Sequence, residues 1–451
     1  MIVMKFGGTS VAGAERIRAV AAIVASRTGE RPLVVTSAMA GVTNELERLV
    51  DDALAGRREP LDAGWQALQR RHQEAARALA PGDAALPGRL DDTLRDLRVL
   101  LRGLRLVGTA SARARDAVLG FGELLAQELL AAALREAGVA TEVVDARRIV
   151  VTDAAFGAAH PDPEASRERA RGILVPLIER GTVPVLGGYL GATPEGVPTT
   201  LGRGGSDLSA SFLGLILGAD CVEIWTDVDG LMTADPRTVP SARLVPEVTF
   251  REAAEMAAFG ARVLHPASIE PAVRGGVPVV VRNSLAPDRP GTLIGRSGGA
   301  GPAGPRAIVT RRGLSLVSVR APELIRRTGF LPDAVSRLER SGGTLFHVTV
   351  GPVGLEAVFG EAAGLEHALA PIEGAAVAVV PDLAAVSVVG EGLARRPDLW
   401  SRVLGEAAQA ARCLRVLQAP RAAALGLLVR AAEADELARA LHAALIEGDA
   451  E

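Results

Sequence analysis

Lysine is all but missing from this chain: of its 50 basic residues one is lysine, Lys5, and 49 are arginine. The two cations are not equivalent. Guanidinium is a planar fork of delocalised charge, whereas ammonium is a compact point charge on a flexible stem that fits among crowded phosphate oxygens. A chain that uses arginine everywhere else, yet keeps lysine in Lys5-Phe6-Gly7-Gly8-Thr9-Ser10, marks that position as catalytic or phosphate-contacting. Aromatic residues are scarce as well, at 3%, with one tyrosine and three tryptophans, and the net charge of −3 leaves no basic stripe. Nucleic acid is therefore not an expected partner. The two cysteines, Cys221 and Cys413, lie far apart without CxxC spacing, which excludes a disulfide framework and a cysteine metal site and leaves buried, inert thiols as the expectation. No apolar run approaches the roughly 18–20 residues that a bilayer requires, and Met1-Ile2-Val3-Met4-Lys5 is too short for a signal-peptide core. The expected location is the cytoplasm, with no membrane partner.

What the chain does have is aliphatic bulk. Its 451 residues are 48% hydrophobic, mostly Ala, Leu and Val, enough for two or three domains with large cores. Up to about residue 295 a short Val/Ile/Leu run is repeatedly followed by a loop of small residues and a helical stretch, which predicts a mostly parallel sheet covered by helices on both faces. Strands are expected at Ile2 to Phe6, Leu33 to Thr36, Val183 to Leu186, Cys221 to Thr226 and Val277 to Val281. Helices are expected near Ala14 to Ala25 and Asn44 to Leu54, and residues 62 to 138 read as almost continuous helix. Five glycines and two prolines between Gly295 and Pro305 mark the linker, placing a catalytic domain at 1–295 and the linker at 296–305. After it, two strand-helix-strand-strand-helix series suggest ferredoxin-like modules at 306–380 and 381–451. In the first, strands are expected at Ile308 to Arg320, Thr344 to Val350 and Glu356 to Phe359, with helices at Phe330 to Ser341 and Gly364 to Ala370.

Three loops of the first domain combine glycine with hydroxyl residues at a strand end just before a helix: Gly7 to Ser10, Ser37 to Thr43, and Thr199 to Asp207. Free backbone N–H groups and the helix dipole make such places anion sites, and open α/β sheets bind ligands at the carboxyl ends of their strands. The third loop brings Gly204 and Gly205 close to a ligand and adds Arg203, Ser206 and Asp207. Its glycines do not fit G-x-G-x-x-G, and the chain has no GxxxxGK[ST], so neither a Rossmann dinucleotide site nor a P-loop is supported.

Six blocks, in order and spacing, resemble the aspartate kinases of the amino-acid kinase superfamily. They are Lys5 to Ser10, the Ser37 to Asn44 loop, Phe121-Gly122-Glu123, Gly202 to Asp207, Trp225 to Gly230 with Asp235-Pro236-Arg237, and Phe259 to Pro266. The resemblance implies an αβα sandwich kinase domain followed by two ACT modules. It implies transfer of the γ-phosphoryl of ATP to the β-carboxylate of L-aspartate, giving 4-phospho-L-aspartate and ADP, the first step of lysine, threonine and methionine biosynthesis. A carboxylate with an ordinary pKa near ~3.9 needs no general base at pH 7. The reaction needs charge neutralisation and alignment instead. On this resemblance Lys5 sits against the transferred phosphoryl oxygens, Gly7 and Gly8 offer N–H groups, Asp207 orients Lys5, and Mg²⁺ bridges the ATP phosphates. Thr43, Glu123, Arg203 and Ser206, with Gly204 and Gly205, hold aspartate; Glu123 takes its ammonium and Arg203 clamps a carboxylate. Ser37, Thr226, Asp227, Asp229, Met232, Arg237, Arg262 and Val263 surround the nucleotide, and Arg262 also joins Lys5 and Asp207 in catalysis.

The chain departs from its relatives at several places. Arg262 stands where many have lysine, and Met232 where many have tyrosine. ACT modules pair between subunits and bind amino acids, so a homodimer under feedback control is implied. Phe346, however, occupies the region where lysine-inhibited relatives place an acid, and Val350 to Gly354 replaces a hydroxyl-rich stretch. A cationic effector would lose its counter-charge there, so weak or absent inhibition by lysine is expected. His265, before a proline, is expected to cap rather than to catalyse. The competing readings are a different amino-acid kinase, such as a glutamate 5-kinase or nucleoside monophosphate kinase, against which the paired modules count, and a catalytically silent amino-acid sensor, against which the retained Lys5, Glu123, Arg203, Ser206 and Asp207 count. A fusion to homoserine dehydrogenase is not expected at this length.

Overall fold

The computed structural model describes residues 1–261, 265–296, 304–321, 329–340, 343–360, 375–393, 396–418 and 423–448. They form two compact units, one of residues 1–231, 246–250 and 263–298, the other of 232–245, 251–262 and 299–451. The change of unit after residue 298 falls in the Gly/Pro stretch, but 232–245 and 251–262 belong with the C-terminal unit rather than with the expected 1–295 domain.

In chain order the first unit's strands are β1 (Ile2–Phe6), β2 (Pro32–Thr36), β3 (Thr141–Val143), β4 (Val183–Gly187), β5 (Leu190–Ala192), β6 (Pro198–Thr200), β7 (Cys221–Thr226), β8 (Glu247–Thr249), β9 (Val279–Asn283) and β10 (Thr292–Gly295). Eight of them form one sheet in the order β3-β4-β2-β1-β7-β9-β10-β8, with β5 and β6 as a separate antiparallel pair. Pairing is parallel from β3 through β9, and β10 runs antiparallel to β9. Central β1 is buried along its whole length, as a strand covered on both faces must be. Its period of two decides the site. Ile2, Met4 and Phe6 enter a core built with helices α1 (Ala14–Ala25) and α2 (Val42–Leu54), which sends Lys5 to the opposite face.

The region read as one long helix is four: α3 (Arg58–Leu79), α4 (Leu86–Val107), α5 (Ala112–Leu119) and α6 (Phe121–Glu136). Pro81 and Gly82 break it after α3, and Gly108, at φ 73°, closes α4. Leu86, Leu90, Leu94, Leu97, Leu101 and Leu104 form the buried stripe of α4. The stretch Ala112–Glu136 is long and apolar enough by composition to cross a membrane, contrary to the reading of the sequence, but 78% of its most apolar window is buried within the protein, as in a core helix. The remaining helices here are α7 (Pro163–Glu179), α8 (Gly205–Leu217), α9 (Phe250–Ala258), which enters the second unit after its first residue, and α10 (Pro266–Gly275). His265 caps α10, its Nδ1 accepting the Ala267 N–H at 3.3 Å.

The second unit is built on a six-stranded antiparallel sheet. Its strands are β11 (Ala307–Arg320), β12 (Thr344–Gly351), β13 (Gly354–Gly360), β14 (Ala376–Val389), β15 (Arg415–Leu417) and β16 (Ala424–Arg430), in the order β12-β13-β11-β14-β16-β15. Helix α11 (Phe330–Arg340) packs on β11 and β13, while α12 (Pro397–Ala410) and α13 (Ala434–His442) pack on β14 and β16. The two modules are not consecutive. Residues Ala307 to Arg311 of β11 pair with the half of β14 that joins β16, and Leu316 to Arg320 pair with the other half. A bulge between Arg311 and Leu314, with Gly313 at φ 72°, separates the halves. Hence the first module is inserted into the second, and the expected division at 380/381 cuts through β14. The expected helix at Gly364 to Ala370 lies outside the described residues.

Candidate active site

A cleft of about 700 Å³ opens at the carboxyl ends of β1, β2 and β4. At its floor the Lys5 ammonium lies 2.5 Å from Oδ1 of Asp207. Sheet register places Lys5 between Val35 and Ile224, and Asp207 comes from the first turn of α8 on the face to which Lys5 points. Gly204 starts that helix in the left-handed region, at φ 73°. Gly8, Ser37, Thr43, Arg203, Gly205 and Ser206 line the same cleft, so residues from three separate loops meet there.

Glu123 is the electrostatic centre of the cleft. It stands in the first turn of α6, 3% exposed, with Oε1 accepting the Ala38 N–H at 3.0 Å and Oε2 without a hydrogen-bond partner. Burial raises its pKa to about 8, against the opposing pull of the Ala38 N–H and the Lys5 charge. The Phe121-Gly122-Glu123 motif achieves this by close approach: a Cβ on Gly122 would lie 2.7 Å from that of Ala38. A carboxyl kept half-satisfied in an apolar wall is an acceptor waiting for a cation.

Other expected residues lie elsewhere. The Gly7 N–H is not free for a phosphate; parallel pairing with β7 continues past Phe6, and Gly7 donates to the Trp225 carbonyl at 3.1 Å. Thr226 ends β7, and Asp227 and Asp229 follow it at the same end of the sheet, but none of them lines the cleft. Asp229 there accepts from Asn283 at 2.7 Å and pairs with Arg289. Met232 and Arg237 belong to the second unit, where Arg237 pairs with Asp235 at 2.7 Å. Arg262 and Val263 lie outside the described residues. The cysteines are half-buried rather than buried, and both thiols are pushed up by burial, Cys221 to about 12.

Sequence reasoning missed Asp116 and Tyr189, which also line the cleft. Asp116 stands seven residues before Glu123, a spacing that could have flagged it. Tyr189 is the chain's one tyrosine, and it holds φ 67°, a region that bulky residues avoid.

Residues 1–283 match the model of the amino acid kinase family. The chain is 33% identical to aspartokinase 3 of Arabidopsis thaliana over 99% of its own length and 82% of the relative's. It is 38% identical to the lysine-sensitive aspartokinase 3 of Escherichia coli over 78% of the chain and 77% of that protein. The crystal structure of E. coli aspartokinase III in complex with aspartate and ADP matches with a TM-score of 0.83 and 32% identity, covering 99% of both chains. With lysine and aspartate the same protein gives 0.86. The chain belongs to the amino acid kinase family and, within it, to the aspartokinases.

Proposed function

We propose that this enzyme phosphorylates the β-carboxylate of L-aspartate with ATP, opening the route to lysine, threonine and methionine. The observation that carries the reading is the pairing, in one cleft, of a buried Lys5 held by half-buried Asp207 with a buried Glu123 whose second oxygen has no partner. Glu123 receives the substrate ammonium, and Arg203 at the cleft rim takes the α-carboxylate as a bidentate partner. The β-carboxylate is thereby turned toward the phosphoryl group. As the bond from the γ-phosphorus to the ADP oxygen breaks and the bond to the carboxylate oxygen forms, Lys5, held by Asp207, neutralises charge on the transferred oxygens. The nucleotide enters as Mg·ATP, its metal carried on the phosphates. Mg·ATP-dependent acyl phosphate, trapped as hydroxamate, should form with L-aspartate and not with L-glutamate; equal yields, or none with aspartate, would refute the assignment.

The same assay tests regulation. Phe346 packs edge-on to Phe259, ring centres 5.1 Å apart, with the Arg311 guanidinium 4.7 Å above its ring. The place where lysine-inhibited relatives carry an acid thus holds a ring beside a cation, hostile to a second ammonium. Sub-millimolar lysine should leave the rate unchanged; a clear fall would overturn this.

The enzyme acts as a homodimer through its ACT modules. Supporting this, β12 ends the sheet of the described residues and exposes Val348 and Val350, with Val353 exposed in the turn that follows, an apolar edge without a partner strand among the described residues. Val350→Lys should convert a sedimenting dimer to monomer, and a monomeric wild type would rule the pairing out.

A further inference from the structure

We propose that Asp116 is a positioning residue that sets which acidic amino acid the cleft accepts, by fixing the loop that carries Arg203. The proposal rests on the reading of Arg203 and Glu123 as substrate-holding residues.

Asp116 lies in α5, 3% exposed. Its Oδ2 accepts the N–H groups of Gly157 and Thr200, both at 2.9 Å, and its Oδ1 accepts the Thr200 hydroxyl at 2.9 Å. Three neutral donors on one buried carboxylate make a strong clamp, and the two donors of fully buried Thr200 would be left unsatisfied without it. The neighbouring Arg115 turns instead to Asp51, at 3.2 Å.

What the clamp holds is the root of the substrate loop. Thr200 ends β6, and the next residue, Leu201, donates its N–H to the Tyr189 carbonyl at 2.9 Å. Gly202, Arg203 and Gly204 follow, the two glycines both at φ 73°, and then α8 begins at Gly205 and carries Ser206 and Asp207 in its first turn. The segment around Gly157 is tied to the same loop a second time: Ala159 donates its N–H to the Thr200 carbonyl at 2.9 Å, and the backbone packs so closely that a Cβ on Gly202 would sit 2.9 Å from the Gly157 carbonyl oxygen. From Thr200 to Gly204, then, the backbone is anchored at one end by Asp116 and at the other by the helix whose Asp207 holds Lys5.

This arrangement acts as a ruler. The α-carboxylate clamp, Arg203, lies within this segment, while the phosphoryl contact, Lys5, stands on β1 and is tied to the segment's far end through its ion pair with Asp207, and the substrate must span the two. Glu123, the ammonium acceptor, stands seven residues after Asp116, at the start of the next helix, and lines the same cleft. Aspartate and glutamate differ by one methylene, so a loop displaced by about an ångström changes both reactivity and the preference between them, on the order of 100-fold for reactivity.

The test is steady-state kinetics on wild type, Asp116→Asn and Thr200→Val, with KM measured for aspartate and ATP and turnover measured with aspartate and glutamate. Asparagine keeps the size but offers one acceptor oxygen to three donors. We expect the aspartate KM to rise about 30- to 100-fold, the ATP KM to stay within about twofold, and the aspartate-over-glutamate preference to narrow about tenfold. Thr200→Val, which removes the hydroxyl alone, should fall between wild type and Asp116→Asn. A merely structural role would raise both KM values together and leave the preference intact, and that result overturns the proposal. If Asp116→Asn does not fold, an unchanged preference in Thr200→Val does so equally. Arg203→Gln separates the two readings: a normal aspartate KM in that variant would sink the clamp itself, and the ruler with it.

Discussion

Lys5→Arg is expected to lower kcat for aspartyl phosphate formation by about a thousand-fold while the protein stays folded. The reason is room and geometry rather than charge. Lys5 is 8% exposed in the central strand, hydrogen-bonded into the sheet between Val35 and Ile224. Its ammonium lies 2.5 Å from Asp207, and the place where a Cβ on Gly7 would stand is only 3.5 Å away. A guanidinium is wider, must stay planar, and would carry its charge past Asp207 or push that carboxylate aside. Either displaces the positive charge from where it must meet the migrating phosphoryl oxygens.

Because that contact strengthens as charge develops, its loss falls on kcat more than on the KM of ATP. Lys5→Met, which keeps the length and removes the charge, should be at least as inactive and should also leave Asp207 without its cation. Hydroxamate formation under saturating substrates reads both variants. An arginine variant that keeps a large fraction of wild-type turnover would mean that the lone lysine is an accident of composition, and the phosphoryl contact would have to be sought elsewhere.

The same lysine shows why so much of the site was legible in the sequence. A short strand followed by a glycine loop has few ways to fold, so β1 and the loop after it could be placed from residues alone, as could β7. Loops that close on one another cannot be read this way. Asp116 gives no motif, and its importance arises only when β6 and the segment near Gly157 arrive at its carboxylate from distant parts of the chain. The Gly7 N–H could not be read as engaged because sheet-type hydrogen bonding to β7 runs one residue past the end of β1, which the sequence places correctly at Phe6. The insertion of one ferredoxin-like module into the other was invisible for a similar reason. A 14-residue strand shared between two modules looks, in sequence, like one strand of one module. Proline and glycine punctuation, in contrast, was present in the long helical region at Pro81, Gly82 and Gly108, and the regular Ala/Leu/Arg texture masked it.

Glu123→Gln is expected to lower kcat/KM for aspartate by about 100- to 1,000-fold and, at the same time, to abolish a pH dependence of stability that wild type should show. Burial is the leading cause of the raised Glu123 pKa, about 8, and neither the Ala38 N–H nor Lys5 offsets it fully. The free enzyme therefore holds a proton on Glu123 at neutral pH, whereas the unfolded chain releases it near the ordinary value of 4.5. Between those two values the folded state binds more protons than the unfolded one, so stability is greatest below 4.5 as far as this group is concerned and falls as pH rises through 8, by as much as about 5 kcal/mol. Glutamine cannot ionise, so urea unfolding of the variant should lack that slope between pH 5 and 8. Substrate binding runs the opposite way. An ammonium at Oε2 favours the carboxylate, so aspartate must expel the proton, and its affinity in wild type should increase from pH 7 to about 8.5 with release of one proton per ligand. Calorimetry in two buffers of different ionisation enthalpy measures that release directly. If wild type binds aspartate without releasing a proton, or if its unfolding curve shows no more slope than that of the glutamine variant, then Glu123 is already ionised in the empty cleft. The cavity would then be wetter than its walls suggest. The two results together separate a carboxyl that is merely buried from one held protonated until its cation arrives.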